Sequence, residues 1–143
     1  MAFINTTINF KEYPLSVKLA ILFLALGWGL HYLFYFKFLM YDEPVRNLYL
    51  QLGIGIGICY LVASINRWAK AMCIFFNLGI IIIYFVLFAN YVLIDKPALS
   101  VFTATIALLF CLSTYYLLLK KTREYFNIYG HTGDDNQSPA NLP

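Results

Sequence analysis

The sequence predicts an all-α integral membrane protein, an antiparallel bundle of four transmembrane helices. Of its 143 residues, 62% are hydrophobic and only 12% are charged, whereas a soluble domain is about half apolar and about a quarter charged. Four runs of 18 to 24 residues contain no Asp, Glu, Lys or Arg, and a helix needs about 20 apolar residues to cross a bilayer. The runs are continuous rather than alternating, which excludes the strands of a membrane barrel.

The helices follow one another with short polar connections. Pro14 opens the first helix, where its missing N–H is tolerated. We place the four helices at about residues 15–40, 46–66, 70–94 and 97–121, within one transmembrane domain 15–126. Polar residues at 41–44, 66–70 and 95–97 form the connections. Residues 1–14 form an N-terminal segment, and the polar tail 127–143 is expected to be disordered.

The distribution of lysine and arginine predicts the orientation. Seven of the ten lie at the two ends and in the connection between the second and third predicted helices, and three lie on the other side. Cytoplasmic loops of membrane proteins carry the excess of Lys and Arg. Both termini are therefore expected in the cytoplasm.

Small residues repeat along the predicted helices at helical spacing. In lipid, such residues let helices approach closely, and they are common at helix–helix contacts. The candidate packing residues are Gly27, Gly53, Gly57, Ser64 and Ala107. Gly53 and Gly57 form a G-x-x-x-G motif, which is alternatively the contact of a homodimer.

Polar side chains inside the predicted helices form two layers at different depths. His31 lies about two-thirds of the way out at about 1.5 Å per residue, and Asn77 about a third. The candidate intramembrane polar residues are His31, Asn77, Tyr84, Thr103, Ser113 and Thr114. We expect His31 to be neutral and hydrogen-bonded to Tyr84 or a threonine hydroxyl. Its functional alternative is a proton relay or a metal or haem ligand, but no further ligands fall at its depth, so no metal, cofactor or catalytic residue is predicted.

Basic and aromatic residues cluster near the predicted inner surface. Their expected partner is anionic lipid headgroups, and the candidates are Arg67, Trp68, Lys70, Lys120, Lys121 and Arg123. The cations lie at the ends of apolar runs rather than on one amphipathic face, so nucleic acid is not an expected partner.

Two short stretches carry a family resemblance. Residues 14–18 read Pro-Leu-Ser-Val-Lys, and residues 66–70 read Asn-Arg-Trp-Ala-Lys. They resemble the P-x-S-V-K-like start and N-W-A-R-like connection of a loose group of small bacterial membrane proteins with four helices. Arg67 intervenes between Asn and Trp, and Lys70 stands in place of Arg. The resemblance implies a location in the bacterial inner membrane and no known activity.

The leading functional prediction is a non-enzymatic accessory or scaffold subunit that packs in the bilayer as a homo-oligomer or within a larger membrane complex. One alternative is a small oligomeric transporter or channel with a polar path near His31 and Asn77. A membrane-embedded lipid-modifying enzyme ranks last, because the sequence shows no nucleophile, acid–base pair or metal cluster.

Overall fold

The structure, a computed structural model of the chain, describes residues 13–39, 45–65 and 67–129. Every regular element in these ranges is a helix, which confirms the all-α prediction for the described residues. The helices are α1 (Leu15–Phe34), α2 (Val45–Ala63), α3 (Arg67–Leu93), α4 (Pro97–Leu118) and α5 (Lys120–Tyr129). Residues 1–12 of the predicted N-terminal segment, the predicted turn at 41–44 and the tail from residue 130 lie outside the described residues.

The first helix begins where the sequence places it. The Pro14 carbonyl accepts hydrogen bonds from the N–H groups of Val17 and Lys18 at 3.0 and 3.1 Å, which starts the helical ladder. After Phe34 the chain continues as one π-helical turn over Tyr35–Leu39. α1 and this turn cover residues 15–39 of the predicted helix at 15–40, and residue 40 lies outside the described residues.

The junction between α2 and α3 lies three residues earlier than the predicted helix bounds place it. The expected end of the second helix at residue 66 is three residues too late, because α2 ends at Ala63 and Ile65 adopts a left-handed conformation with φ 53°. Such a residue ends a helix and turns the chain within a few positions. α3 therefore begins at Arg67 rather than at residue 70.

The end of α3 satisfies its backbone by a Schellman motif. Asp95 has φ 53°, its N–H donates to the Val92 carbonyl at 3.2 Å, and the Lys96 N–H donates to the Tyr91 carbonyl at 3.0 Å. These two bonds use carbonyls that the helix end leaves open. Pro97 then opens α4, where a proline is tolerated.

A fifth helix was not predicted from the sequence. α4 ends at Leu118 instead of residue 121, because Leu119 is extended (φ −55°, ψ 140°). α5 follows, with Thr122 and Phe126 buried and the residues between them largely exposed. Positions four apart lie on one helix face, so α5 is amphipathic, and it extends three residues into the predicted tail.

α4 is the central helix of the packing. It packs most extensively on α3 and α1, whereas α2 has fewer contacts with α1 and α3. Hydrogen bonds join the early part of α1 and of α3 to the late part of α4, from Ser113 to Ala20 and from Asn77 to Thr114. The largest side chains that are fully buried between these helices include Phe34, Phe110, Leu24, Ile106 and Leu117.

Three helices are long and apolar enough to cross a membrane, by length and composition: Leu15–Phe38 with 24 residues, Arg67–Leu93 with 27 and Pro97–Leu118 with 22. Many large apolar side chains on them point outward, among them Phe75, Ile82 and Phe85 on α3, each more than 60% exposed. A surface of this kind is suited to lipid rather than to water. These features support a transmembrane protein.

Candidate functional site

Asn77 ties α3 to α4 in the interior of the molecule. Its side chain is completely buried, and its Nδ2 donates to the Thr114 hydroxyl at 3.1 Å. Its Oδ1 accepts a weaker contact from the Cys73 thiol at 3.9 Å. Both ends of the amide therefore have partners, which is the arrangement expected of a buried polar group with a structural role.

Ser113 and Thr103 also bond within the helical core. The Ser113 hydroxyl donates to the Ala20 carbonyl at 3.1 Å and so connects α4 to α1. The Thr103 hydroxyl lies close to the Ser100 and Leu99 carbonyls of its own helix, at 2.9 and 3.0 Å. The Thr103 hydroxyl therefore bonds within α4 and not to His31.

His31 and Tyr84 meet between α1 and α3. The His31 Nδ1 lies 2.9 Å from the Tyr84 hydroxyl, one of the two kinds of partner expected from the sequence. The Trp28 ring lies edge-on to the imidazole, with 5.3 Å between ring centres, and also edge-on to Phe110. This layer is aromatic, and it borders open space on the side of α2.

The glycines divide into those that pack and those that face outward. A Cβ at Gly27 would lie 3.2 Å from the Phe110 ring, so Gly27 permits the close approach of α1 and α4. A Cβ at Gly53 or Gly57 would meet nothing within 4 Å. Gly55 is the packing glycine of α2, because a Cβ there would lie 2.7 Å from the Trp28 ring.

The two remaining packing candidates are Ala107 on α4 and Ser64 at the end of α2. Ala107 is half-buried against the core on α4. Ser64 lies just past the end of α2, and its hydroxyl donates to the Leu61 carbonyl at 2.9 Å.

One end of the molecule is basic. We call Arg67, Lys70, Lys120, Lys121 and Arg123 the basic end. The Arg67 Nε donates to the Phe126 carbonyl at 3.1 Å, one of the carbonyls left open at the end of α5. The Lys70 ammonium lies 5.6 Å from the centre of the Phe126 ring. Arg67, Lys70 and Arg123 line a cleft of about 300 Å³, and Trp68 is exposed nearby on α3.

Tyr13 joins three elements at this same end. Its hydroxyl donates to the Ala63 carbonyl at the end of α2 at 2.8 Å, and its ring lies edge-on to Tyr125 of α5. The Thr122 hydroxyl also donates to the Ser16 hydroxyl at 2.9 Å. Burial, and then the nearby Tyr125, raise the pKa of Tyr13. The Tyr13 hydroxyl is therefore protonated, and able to donate, at neutral pH.

A groove of about 520 Å³ separates α1 from α2. Its lining residues include Trp28, Gly29, His31, Gln51, Gly55 and Cys59. Two of these carry buried polar atoms without a hydrogen bond, the Trp28 Nε1 and the Gln51 Oε1. Gln51 lies beside the His31 imidazole, close enough to act as its hydrogen-bond partner, although the Gln51 Oε1 does not meet the full distance and angle criteria of such a bond.

Trp28 and Gln51 were missed as candidate residues in the sequence. Trp28 lies three positions before His31 and so shares its helix face. Gln51 is an uncharged polar residue within the predicted second helix, and a buried polar group in lipid needs a partner. Both signals were present in the sequence, but neither specifies how α2 is rotated against α1.

The described residues hold no cluster of three or more His, Cys, Asp or Glu side chains that could bind a metal ion. Comparisons with protein-family models, with curated proteins and with solved structures find no match to this chain. The site is therefore interpreted from its own geometry.

Proposed function

We propose that the chain is an antiparallel four-helix membrane bundle in which α2 provides the fourth crossing. With 19 residues, α2 falls within the roughly 17–25 residues that span a bilayer. Its described apolar part, Tyr49–Ala63, continues alongside α1 rather than leaving the packed helices. An even number of crossings returns both ends of the chain to one side.

We further propose that the basic end faces the cytoplasm of a bacterial cell, with the chain in its inner membrane. Arg67 and Lys70 at the start of α3 lie beside α5, which carries Lys120, Lys121 and Arg123. The positive-inside rule assigns such an end to the cytoplasm. The cleft between Arg67, Lys70 and Arg123 would then contact anionic headgroups. The bacterial location derives from the resemblance of residues 14–18 and 66–70.

Within the membrane, we propose that the chain is a non-enzymatic accessory or scaffold subunit that associates with a second copy through α2. The observation that carries this proposal is the open face of Gly53 and Gly57, where added Cβ atoms would meet nothing. An exposed apolar stripe surrounds the pair: Tyr49, Leu50, Ile56 and Tyr60. Small residues four apart let two identical helices approach closely, and the stripe contains no charge to oppose self-contact.

Dimer formation in vesicles tests this function. Full-length chains labelled with donor and acceptor dyes are diluted into excess lipid, and energy transfer is measured against the protein-to-lipid ratio. Gly53→Leu should raise the dimer dissociation constant at least about tenfold, which corresponds to about 1.4 kcal/mol. Gly79→Leu is the matched control, because Gly79 on α3 is also open but lies outside the stripe.

A wild-type chain that stays monomeric at every dilution contradicts the proposal. Equal dissociation constants for Gly53→Leu and Gly79→Leu would place the contact elsewhere. Co-purification with a different membrane protein, without self-association, would favour a subunit of a larger complex.

The transporter or channel alternative requires a polar path past His31 and Asn77. Asn77 is enclosed and has a partner at each end of its amide, and it does not line the groove that His31 borders. This arrangement lends the transport alternative no support. For the enzyme alternative, the described residues contain no group of three or more His, Cys, Asp or Glu side chains that could hold a metal ion.

A further inference from the structure

The cleft at the basic end brings together three cations that have no carboxylate partner among the described residues. Arg67 and Lys70 come from the start of α3 and Arg123 from α5, and all three line the same space of about 300 Å³. The ion pair between Lys120 and Glu124 lies within α5 and involves none of them. Lys70 and Arg123 are close enough to repel each other. An anion in the cleft would therefore be attracted by three charges and would relieve their repulsion.

Arg67 is held in position for such an anion. Its Nε donates to the Phe126 carbonyl at 3.1 Å, and within the described part of the chain its two terminal nitrogens have no hydrogen-bond partner. The terminal N–H groups of a guanidinium bind two oxygens of one phosphate, whereas a lysine binds phosphate as a point charge. The Lys70 ammonium lies over the other side of the same residue, 5.6 Å from the centre of the Phe126 ring. Two of the three cations are thus fixed before a ligand arrives, which lowers the entropic cost of binding it.

The cleft changes from charged to apolar along the direction in which α3 enters the membrane. Its cations lie at the start of this membrane-spanning helix, the level of the lipid headgroups. Ile74 lies one turn further along α3 than Lys70, about 6 Å deeper, and it lines the cleft together with Leu118 at the end of α4. A phospholipid has the same order, a phosphate followed by acyl chains. A small soluble anion would leave the apolar part of the cleft uncovered, so the lining favours a lipid.

We propose that this cleft is a binding site for a phospholipid with a phosphomonoester headgroup, of the phosphatidic acid type. The phosphate bridges Arg67, Lys70 and Arg123, and the acyl chains pass over Ile74 and Leu118 into the bilayer. A phosphomonoester carries about −1.5 to −2 charges at pH 7 and three strong acceptor oxygens. A phosphodiester headgroup has a single negative charge and fewer free oxygens, so it matches three converging cations less well.

This inference rests on the proposed position of the basic end at the membrane surface, and it names the lipid that binds there. It does not depend on the dimer contact of α2, because the cleft is formed by α3, α4 and α5. Basic pockets beside membrane helices are a known way in which proteins select a lipid headgroup.

Native mass spectrometry can count the lipids that bind and measure the affinity of each. The full-length chain is delipidated in a neutral detergent and titrated separately with phosphatidic acid, phosphatidylglycerol and phosphatidylcholine that have identical acyl chains. Glycerol 3-phosphate is the fourth ligand, because it has the phosphomonoester without the acyl chains. The first phosphatidic acid should bind with a dissociation constant at least about tenfold lower than that of phosphatidylglycerol or of glycerol 3-phosphate.

Two substitutions on α5 separate the cleft from the general charge of the basic end. Arg123→Gln removes a cation that lines the cleft, and Lys121→Gln removes an equally exposed cation two residues away that does not line it. Arg123→Gln should raise the dissociation constant for phosphatidic acid at least about fivefold, because it removes a charge-assisted bond to the phosphate. Lys121→Gln should change this constant less than about twofold, as expected of a solvent-exposed charge. Circular dichroism verifies that both variants are folded.

Equal affinities for phosphatidic acid and phosphatidylglycerol would overturn the proposal and leave only a general attraction to anionic lipids. Equal effects of Arg123→Gln and Lys121→Gln would also overturn it, because the cleft would then be no more important than the rest of the basic end. Glycerol 3-phosphate binding as tightly as phosphatidic acid would make the site one for a soluble phosphate. If neither anionic lipid bound better than phosphatidylcholine, the proposed contact of the basic end with anionic headgroups would fail as well.

Discussion

The unit formed by α1, α3 and α4 differs from α2 in how its polar and apolar groups are matched. In the unit, Phe110 and Ile106 are fully buried, and Asn77 has partners at both ends of its amide. Along α2, by contrast, Gly53 and Gly57 face open space, and Gln51 has an unpartnered oxygen. Among the described residues, the unpartnered polar atoms therefore lie where α1 faces α2, on Trp28 and Gln51, and not between α1, α3 and α4.

This difference separates helices whose contacts are completed within the chain from a helix that has surface left for a partner. A satisfied, close-packed interior defines a rigid element, whereas unfilled space and unpaired polar atoms need an explanation from outside the chain. The proposed self-association concerns α2 for this reason, because a second chain would cover the open stripe around Gly53 and Gly57. Substitutions in the two regions should consequently have different effects.

Phe110→Ala should produce the largest loss of stability. The side chain is fully buried, faces Gly27 across the α1–α4 contact and packs edge-on against Trp28. Removing a buried phenyl ring costs about 3–5 kcal/mol through lost packing and the cavity left behind. Steric trapping in bicelles measures the free energy of unfolding. Phe75→Ala, at a position 72% exposed, is the control and should change it little.

Gly55→Ala should cause an intermediate loss of stability, because Gly55 lies at the contact between α2 and α1. The added methyl would lie 2.7 Å from the Trp28 ring, so α2 or the ring must move. Overpacking of this kind costs about 1–3 kcal/mol. Gly79→Ala adds the same methyl in open space. A stability for Gly55→Ala equal to that of Gly79→Ala would show that α2 does not rest on Trp28.

His31→Leu should have the smallest effect on stability. It removes one hydrogen bond between helices, to Tyr84, and such bonds in membranes contribute about 0.6 kcal/mol on average and at most about 1.7. Asn77→Leu is the companion variant in the rigid unit and should cost more, because Asn77 is enclosed and has two partners. Thermal unfolding in detergent ranks the two. The reverse order would contradict the division between the regions.

Much of the fold follows from the sequence, because charged and proline residues delimit the apolar runs. The rise per residue placed Tyr84 at the depth of His31, so that Tyr84 or a threonine hydroxyl was the expected partner, and in the structure the partner is Tyr84. The rotation of α2 was not predictable in the same way. Gly53 and Gly55 are two residues apart, so they lie about 200° apart around the helix. Both are glycines, and no neighbouring residue in the sequence indicates which of them faces α1.

The fifth helix shows a second limit of the sequence analysis. α5 has ten residues, and its first five include four charged ones, so no long apolar run marks it. Its position depends on tertiary contacts, namely Thr122 with Ser16 and Phe126 with Arg67 and Lys70. Contacts between distant parts of a chain leave no periodic signal in either part.

The number of membrane crossings is the central claim, and the sides reached by the two ends of the chain test it most directly. Reporter tags that are active only in the cytoplasm are attached before Met1 and after Pro143 of the full chain, in separate versions. If α2 crosses together with α1, α3 and α4, both tags are active. Activity at one end alone, with the other end accessible from outside, would leave three crossings and contradict the account.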